Sequence, residues 1–187
     1  TQSDVLANVK ALLNYAVKER RLIKSNPWAS VTIPKEKPTN RRGTWADEDL
    51  TKLFAAPLFQ SYELPEDRRA GGPAAYWLPL LALHGGLRIA ELTQLRIQDV
   101  VQRDGVLLLD VNEDSGKAVK SAAGVRYVPV HSNLIRLGFA DFFADRKAQS
   151  ADPATPLFDA LPSAPSRSPA EYASDSFRRF CQDVNVY

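Results

Sequence analysis

The chain has 187 residues, of which 44% are hydrophobic, enough for the core of one ordinary domain, and this composition argues against global disorder. Basic and acidic residues nearly balance, for a net charge of +2, and the single cysteine, Cys181, excludes an internal disulfide and a cysteine-based metal site. No apolar run approaches the roughly 20 residues of a membrane span. We therefore predict a cytoplasmic protein. Because the chain begins with Thr1 and lacks methionine, we expect it to be part of a longer protein.

Positive charge is concentrated at the start of the chain. Residues 1–46 contain nine lysines and arginines but three acidic residues, whereas the remainder is net acidic. A basic segment on an acidic body is typical of an arm that contacts a polyanion, although a solvated helix and linker would have the same composition.

The first predicted element is an amphipathic helix over residues 3–23, where the apolar residues follow helical spacing. Residues 24–44 contain three prolines and many charges, which predicts an extended linker. Thr44 and Asp47 resemble a capping box, which predicts a helix over residues 45–56.

The middle of the chain is predicted to contain helices and then a small sheet. An apolar helix is expected over residues 74–84, followed by Gly85 and Gly86 and by a second helical pattern over residues 87–95. Three strands are expected, over residues 105–112, 118–121 and 125–130. A turn at Asp104 and Gly105 opens the first of them.

The last part of the chain is predicted to be helical again. A helix is expected over residues 133–146 and a proline-rich loop over residues 152–168. Ser168 and Glu171 then form a capping box that opens a final helix. The predicted fold class is α+β, mostly helical with a small three-stranded antiparallel sheet.

Most catalytic motifs are missing, and Arg88 is the main remaining candidate. Neither histidine, His84 or His131, has metal-ligand spacing to a partner, and there is no G-x-S-x-G or glycine-rich phosphate motif. Arg88 follows two glycines at the predicted start of a helix, where backbone N–H groups and a guanidinium can hold a phosphate or carboxylate. The alternative is a helical scaffold in which Arg88 only pairs with Glu91.

Three segments resemble the tyrosine recombinases, the phage-integrase family. GLRIAELTQLRIQDV, residues 86–100, resembles the family's first conserved box, and GKAVKSAAGVRYVPV, residues 116–130, is similar to its strand–turn–strand segment with a lysine and a Val-Pro end. VKALLNYAVKERRLIKSNPW, residues 9–28, looks like the last helix of the family's core-binding domain. The resemblance implies that helix over residues 1–28, an interdomain linker over 29–43, and the N-terminal part of a truncated catalytic domain over 44–187.

The resemblance also implies an activity and the residues that carry it. Members of the family cut and rejoin DNA through a 3′-phosphotyrosine and need no metal, nucleotide or other cofactor. Arg88 matches the first catalytic arginine, and Lys120 matches the lysine that protonates the departing 5′ oxygen, with Lys117 as the alternative. Glu91 is the supporting carboxylate that orients Arg88. Arg126, in the third predicted strand, is interpreted as a sheet-face or backbone-contact residue.

The implied partner is double-stranded DNA, with a homo-tetramer assembled on DNA by the full-length protein, and no membrane or metal partner is expected. Arg41 and Arg42, in the linker, are candidates for contacts with the DNA backbone, which provide affinity without sequence information. The parent protein would integrate or excise a mobile element.

The family's second box, His-x-x-Arg, and its nucleophilic tyrosine have no match in the chain. Neither histidine is followed three residues later by arginine, and Tyr172 and Tyr187 are interpreted as structural. We therefore expect the chain alone not to cut DNA. The alternative function is a non-enzymatic DNA-binding module, a degenerate or truncated recombinase that acts as a regulator.

Overall fold

The computed structural model of the protein describes residues 2–34, 44–119 and 124–186. The chain divides into two compact units, Thr1–Thr44 and Trp45–Tyr187. None of the helices within the described ranges is long and apolar enough to cross a membrane.

The first unit is built on one helix in its described part, α1, Gln2–Lys18. The helix ends earlier than predicted because Arg21 adopts a left-handed backbone conformation with φ 51°, which an α-helix cannot continue. The Leu22 N–H then donates to the Ala16 carbonyl at 2.9 Å and closes the helix end. No residue of α1 is buried within the chain.

The second unit contains the other helices and the sheet. Its helices, within the described residues, are α2 Asp47–Ala55, α3 Pro57–Gln60, α4 Ala74–Gly85, α5 Ile89–Thr93, α6 Ser132–Arg136, α7 Phe139–Gln149 and α8 Pro169–Asp183. Short 3-10 turns lie at Arg68–Ala70, Ile97–Asp99 and Asp114–Gly116.

Helix α4 lies at the centre of the core and carries the chain directly to Arg88. Six of its residues are buried, including Trp77 and Leu81. It ends at Gly86, whose left-handed backbone (φ 62°) lets its N–H donate to the Ala82 carbonyl. A Cβ at Gly85 would lie 2.5 Å from a Leu87 methyl carbon. The two glycines are therefore explained by the end of α4 and by close packing.

The sheet consists of β1 Val100–Arg103, β2 Val106–Val111 and β3 Arg126–Pro129, antiparallel in the order β1-β2-β3. The predicted α+β class with a three-stranded antiparallel sheet is confirmed. Its first strand, however, is β1, which precedes the turn at Asp104 and Gly105, both with positive φ.

The strand predicted to begin at Ala118 is absent from its described residues, 118 and 119. The Ala118 N–H donates to the Gln94 side chain at 2.9 Å, and the Gln94 amide donates to the Ala118 carbonyl at 2.8 Å. Both backbone groups of Ala118 are thus taken by a side chain, so they cannot join a strand ladder.

The structure corrects two of the predicted helix boundaries and confirms a third. Helix α2 begins at Asp47 without a side-chain cap, so the predicted box at Thr44 is wrong. The helix predicted over residues 133–146 is broken at Gly138, which has φ 91°, and so becomes α6 and α7. The Ser168 capping box is confirmed, since Glu171 Oε2 accepts the Ser168 N–H at 2.7 Å.

Candidate functional site around Arg88 and Glu91

The candidate site begins where Arg88 leads into α5. Arg88 has an extended backbone (φ −74°, ψ 149°) and occupies the N-cap position, which places Glu91 in the first turn. Glu91 Oε1 accepts from Arg88 Nη1 at 2.7 Å, and Glu91 Oε2 accepts from the Arg88 backbone N–H at 3.0 Å. One carboxylate therefore holds both the backbone and the side chain of Arg88, as the three-residue spacing predicts.

A second arginine reaches the same carboxylate from the sheet. Arg126 Nη2 donates to Glu91 Oε2 at 2.9 Å, and Arg126 Nη1 donates to the Gly124 carbonyl at 2.7 Å. The assignment of Arg126 to the sheet face is therefore incomplete, because its guanidinium belongs to the Arg88 site. Thirty-five residues separate Arg126 from Glu91, so only the strand arrangement could have revealed this contact.

The three side chains differ strongly in exposure. The Glu91 side chain is 2% exposed, whereas Arg126 is 31% and Arg88 is 57% exposed. Burial alone would raise the pKa of Glu91, but hydrogen bonds from Arg126 and from the Arg88 backbone and side chain outweigh it and lower that pKa to about 2. Glu91 is thus ionised at neutral pH, and the Arg88–Glu91–Arg126 cluster carries one net positive charge.

Arg88 keeps donor groups that could bind an anion. Its Nε and Nη2 donate no hydrogen bond in the described part of the chain, while Nη1 contacts Glu91. The helix terminus adds little, because α5 has five residues and the Arg88 N–H already donates to Glu91. The Arg88 N–H of the predicted backbone seat is therefore already used by Glu91, and the guanidinium supplies the donors that remain on Arg88.

Lys117 is enclosed in a separate ion pair. Its Nζ lies 2.6 Å from Asp99 Oδ1, and both side chains are at most 4% exposed. Asn112 donates to the same oxygen at 3.2 Å, and the Arg96 backbone N–H donates to Asp99 Oδ2 at 2.7 Å. The Lys117 ammonium is therefore buried and already paired with a carboxylate.

Three predicted site residues, Lys120, Arg41 and Arg42, lie outside the described residues. The described residues on either side of Lys120 are anchored near the cluster. Ala118 is held by Gln94, and the Gly124 carbonyl accepts from Arg126.

The two histidines stack on each other. The His84 and His131 rings lie 4.8 Å apart at 18°, and burial together with His131 lowers the pKa of His84. His131 Nδ1 accepts the Asn133 N–H at the start of α6. Across the described ranges, no group of three or more His, Cys, Asp or Glu side chains is arranged to hold a metal ion.

A large apolar groove also lies in the second unit and reaches Ile89, the residue after Arg88. Residues of α2, α4 and α8 line this cavity of about 620 Å³, and none of its lining side chains is charged. It therefore offers no cationic side chain to a phosphate, and the cluster around Glu91 remains the candidate site.

The chain matches no protein-family model, no curated protein and no solved structure. Functional assignment therefore depends on the resemblance of its motifs and on the chemistry of the Arg88–Glu91–Arg126 cluster.

Proposed function

We propose that the chain is part of a tyrosine recombinase, an enzyme that cuts and rejoins specific DNA sites through a 3′-phosphotyrosine. The observation that carries the proposal is the half-exposed guanidinium of Arg88 on a buried, ionised carboxylate, within the segment that resembles the family's first box. The pairing of Arg88 with Glu91 also fits a purely structural scaffold. The Arg88 donors that bind no other described residue favour the recombinase.

The proposed role of Arg88 follows from the charge that develops during the reaction. When a tyrosine attacks a phosphodiester, negative charge grows on the non-bridging phosphate oxygens, and donors fixed in advance stabilise it most. A planar guanidinium can donate to two phosphate oxygens at once. Glu91 fixes its direction through a 2.7 Å hydrogen bond, so that less ordering remains to be done when DNA binds.

The other parts of the proposal concern residues outside the described ranges. Lys120 would protonate the departing 5′ oxygen, and Arg41 and Arg42 would contact the DNA backbone. The remaining catalytic groups would come from a longer protein that acts as a tetramer on DNA in the cytoplasm, and the reaction requires no metal or nucleotide.

The test uses the full-length encoded protein and a nicked DNA substrate that traps the covalent intermediate. We expect the wild-type protein to form a covalent complex. Arg88→Ala should still bind the site, with somewhat lower affinity, and once bound should cleave slower by about 10² or more. Arg68→Ala is the matched control, because Arg68 is exposed and its side chain makes no hydrogen bond or ion pair in the described part of the chain. Equal cleavage rates for Arg88→Ala and Arg68→Ala would refute the assignment.

The same experiment distinguishes the recombinase from the alternative function, a non-enzymatic DNA-binding module. If the full reading frame contains no His-x-x-Arg box and no later tyrosine, the protein would bind duplex DNA without forming a covalent complex. That outcome would identify a DNA-binding module that acts as a regulator.

A further inference from the structure

We propose that Arg126 is a positioning residue for Arg88 and acts through Glu91 rather than by contacting DNA. The inference rests on the proposed phosphate-binding role of Arg88 and assigns the third member of the Arg88–Glu91–Arg126 cluster.

Glu91 is held through both of its carboxylate oxygens. Among the described residues, the Arg88 side chain bonds to Glu91 through Oε1, at 2.7 Å, and the Arg88 backbone N–H donates to Oε2 at 3.0 Å. The orientation of the carboxylate therefore also depends on the other partner of Oε2. Arg126 Nη2 occupies Oε2 at 2.9 Å and comes from β3, a different element from α5. Glu91 is thus braced from the helix and from the sheet, which fixes the oxygen that faces Arg88.

Arg126 is itself fixed well enough to serve as a brace. Its Nη1 donates to the Gly124 carbonyl at 2.7 Å, and its backbone pairs with Val111 in the β2–β3 register. A rigid guanidinium fork can serve two acceptors at once, which an ammonium group cannot do in the same geometry.

Arg126 and Arg88 differ in solvent exposure, which indicates different roles. Arg126 is 31% exposed and uses both terminal nitrogens on protein acceptors. Arg88 is 57% exposed and, among the described residues, uses one. Arg88 therefore has the open edge that a phosphate needs. When Arg88 shares its guanidinium with a phosphate, Arg126 still neutralises the buried Glu91 carboxylate and keeps it in place.

The first test measures Arg88 directly and needs no DNA. In ¹⁵N NMR spectra of the chain, the Arg88 Nε–Hε group should be ordered in the wild type and become mobile in Arg126→Gln. Arg126→Lys should give an intermediate result, and Arg68→Gln should change nothing. Unchanged Arg88 order in the Arg126 variants would overturn the proposal.

Folding is checked by thermal unfolding. If Arg126→Gln does not fold, Arg126→Lys decides, because it keeps the charge and loses the fork. Full Arg88 order in a folded Arg126→Lys variant would then contradict the proposal.

The second test is a double-mutant cycle on duplex DNA affinity. Arg126→Lys should weaken binding by at most about tenfold in the wild-type background and have no effect in the Arg88→Gln background. Equal losses in both backgrounds would mean that Arg126 acts independently of Arg88, which would overturn the proposal. A wild-type chain without DNA affinity would refute the proposed function instead, and the NMR result would still decide the role of Arg126.

Discussion

Replacing Glu91 with glutamine tests whether the buried carboxylate holds the site together. Its pKa of about 2, against an ordinary 4.5, corresponds to about 3 kcal/mol of folding free energy at 1.36 kcal/mol per unit. Because Arg88 is 57% exposed, solvent screening reduces the expected loss to about 2 kcal/mol. Glutamine keeps the shape of the side chain, so the change removes the charge and little packing.

The sign of the pH dependence follows from the lowered pKa. Folding favours the ionised form of Glu91, so its stabilisation is fully present above about pH 4.5 and is lost as the pH falls towards 2. Urea unfolding should therefore show wild type more stable than Glu91→Gln by about 2 kcal/mol at pH 7, with the difference shrinking below about pH 4.

The matched control is Glu66→Gln, because Glu66 is exposed and its side chain makes no hydrogen bond or ion pair with the other described residues. It should change the unfolding free energy little at any pH. A Glu91→Gln variant as stable as wild type, or a loss that does not vary with pH, would refute the electrostatic account.

Three further predictions concern the fold. Lys117→Met should lower the unfolding free energy in urea by about 3 kcal/mol because it leaves Asp99 buried without its cation. The double variant Lys117→Met/Asp99→Asn should recover part of the lost stability, and no recovery would contradict the charge argument. Gly71→Ala should lower Tm more than Gly105→Ala. Both glycines have positive φ, but of the two only Gly71 would place a Cβ 2.5 Å from Leu161. Equal shifts in Tm would contradict the steric explanation. Ser168→Ala should cost about 1 kcal/mol in thermal unfolding by removing the cap of α8, whereas the exposed Ser166→Ala should not; equal effects would contradict the capping role.

Local patterns in the sequence predicted much of the fold. Three of the predicted features depend on residues within a few positions of one another: the turn at Asp104 and Gly105, the Ser168 capping box and the Arg88–Glu91 pair. Such contacts follow from backbone geometry alone, which a sequence specifies directly.

Long-range contacts could not be predicted in the same way. Val100–Arg103 becomes a strand because it pairs with Val106–Val111, whereas the backbone of Ala118 is bound by the Gln94 side chain. Arg126 reaches Glu91 only through the register of β2 and β3. The burial of Lys117 likewise depends on Asp99, which lies eighteen residues earlier.

The salt dependence of duplex DNA binding tests most directly whether Arg88 faces a phosphate. For the wild-type chain, the logarithm of affinity should fall linearly with the logarithm of salt concentration, and Arg88→Gln should reduce that slope by about 0.9 and weaken binding. Arg68→Gln should retain the wild-type slope. If Arg88→Gln binds DNA as the wild type does at every salt concentration, Arg88 does not contact the DNA backbone and the account is wrong.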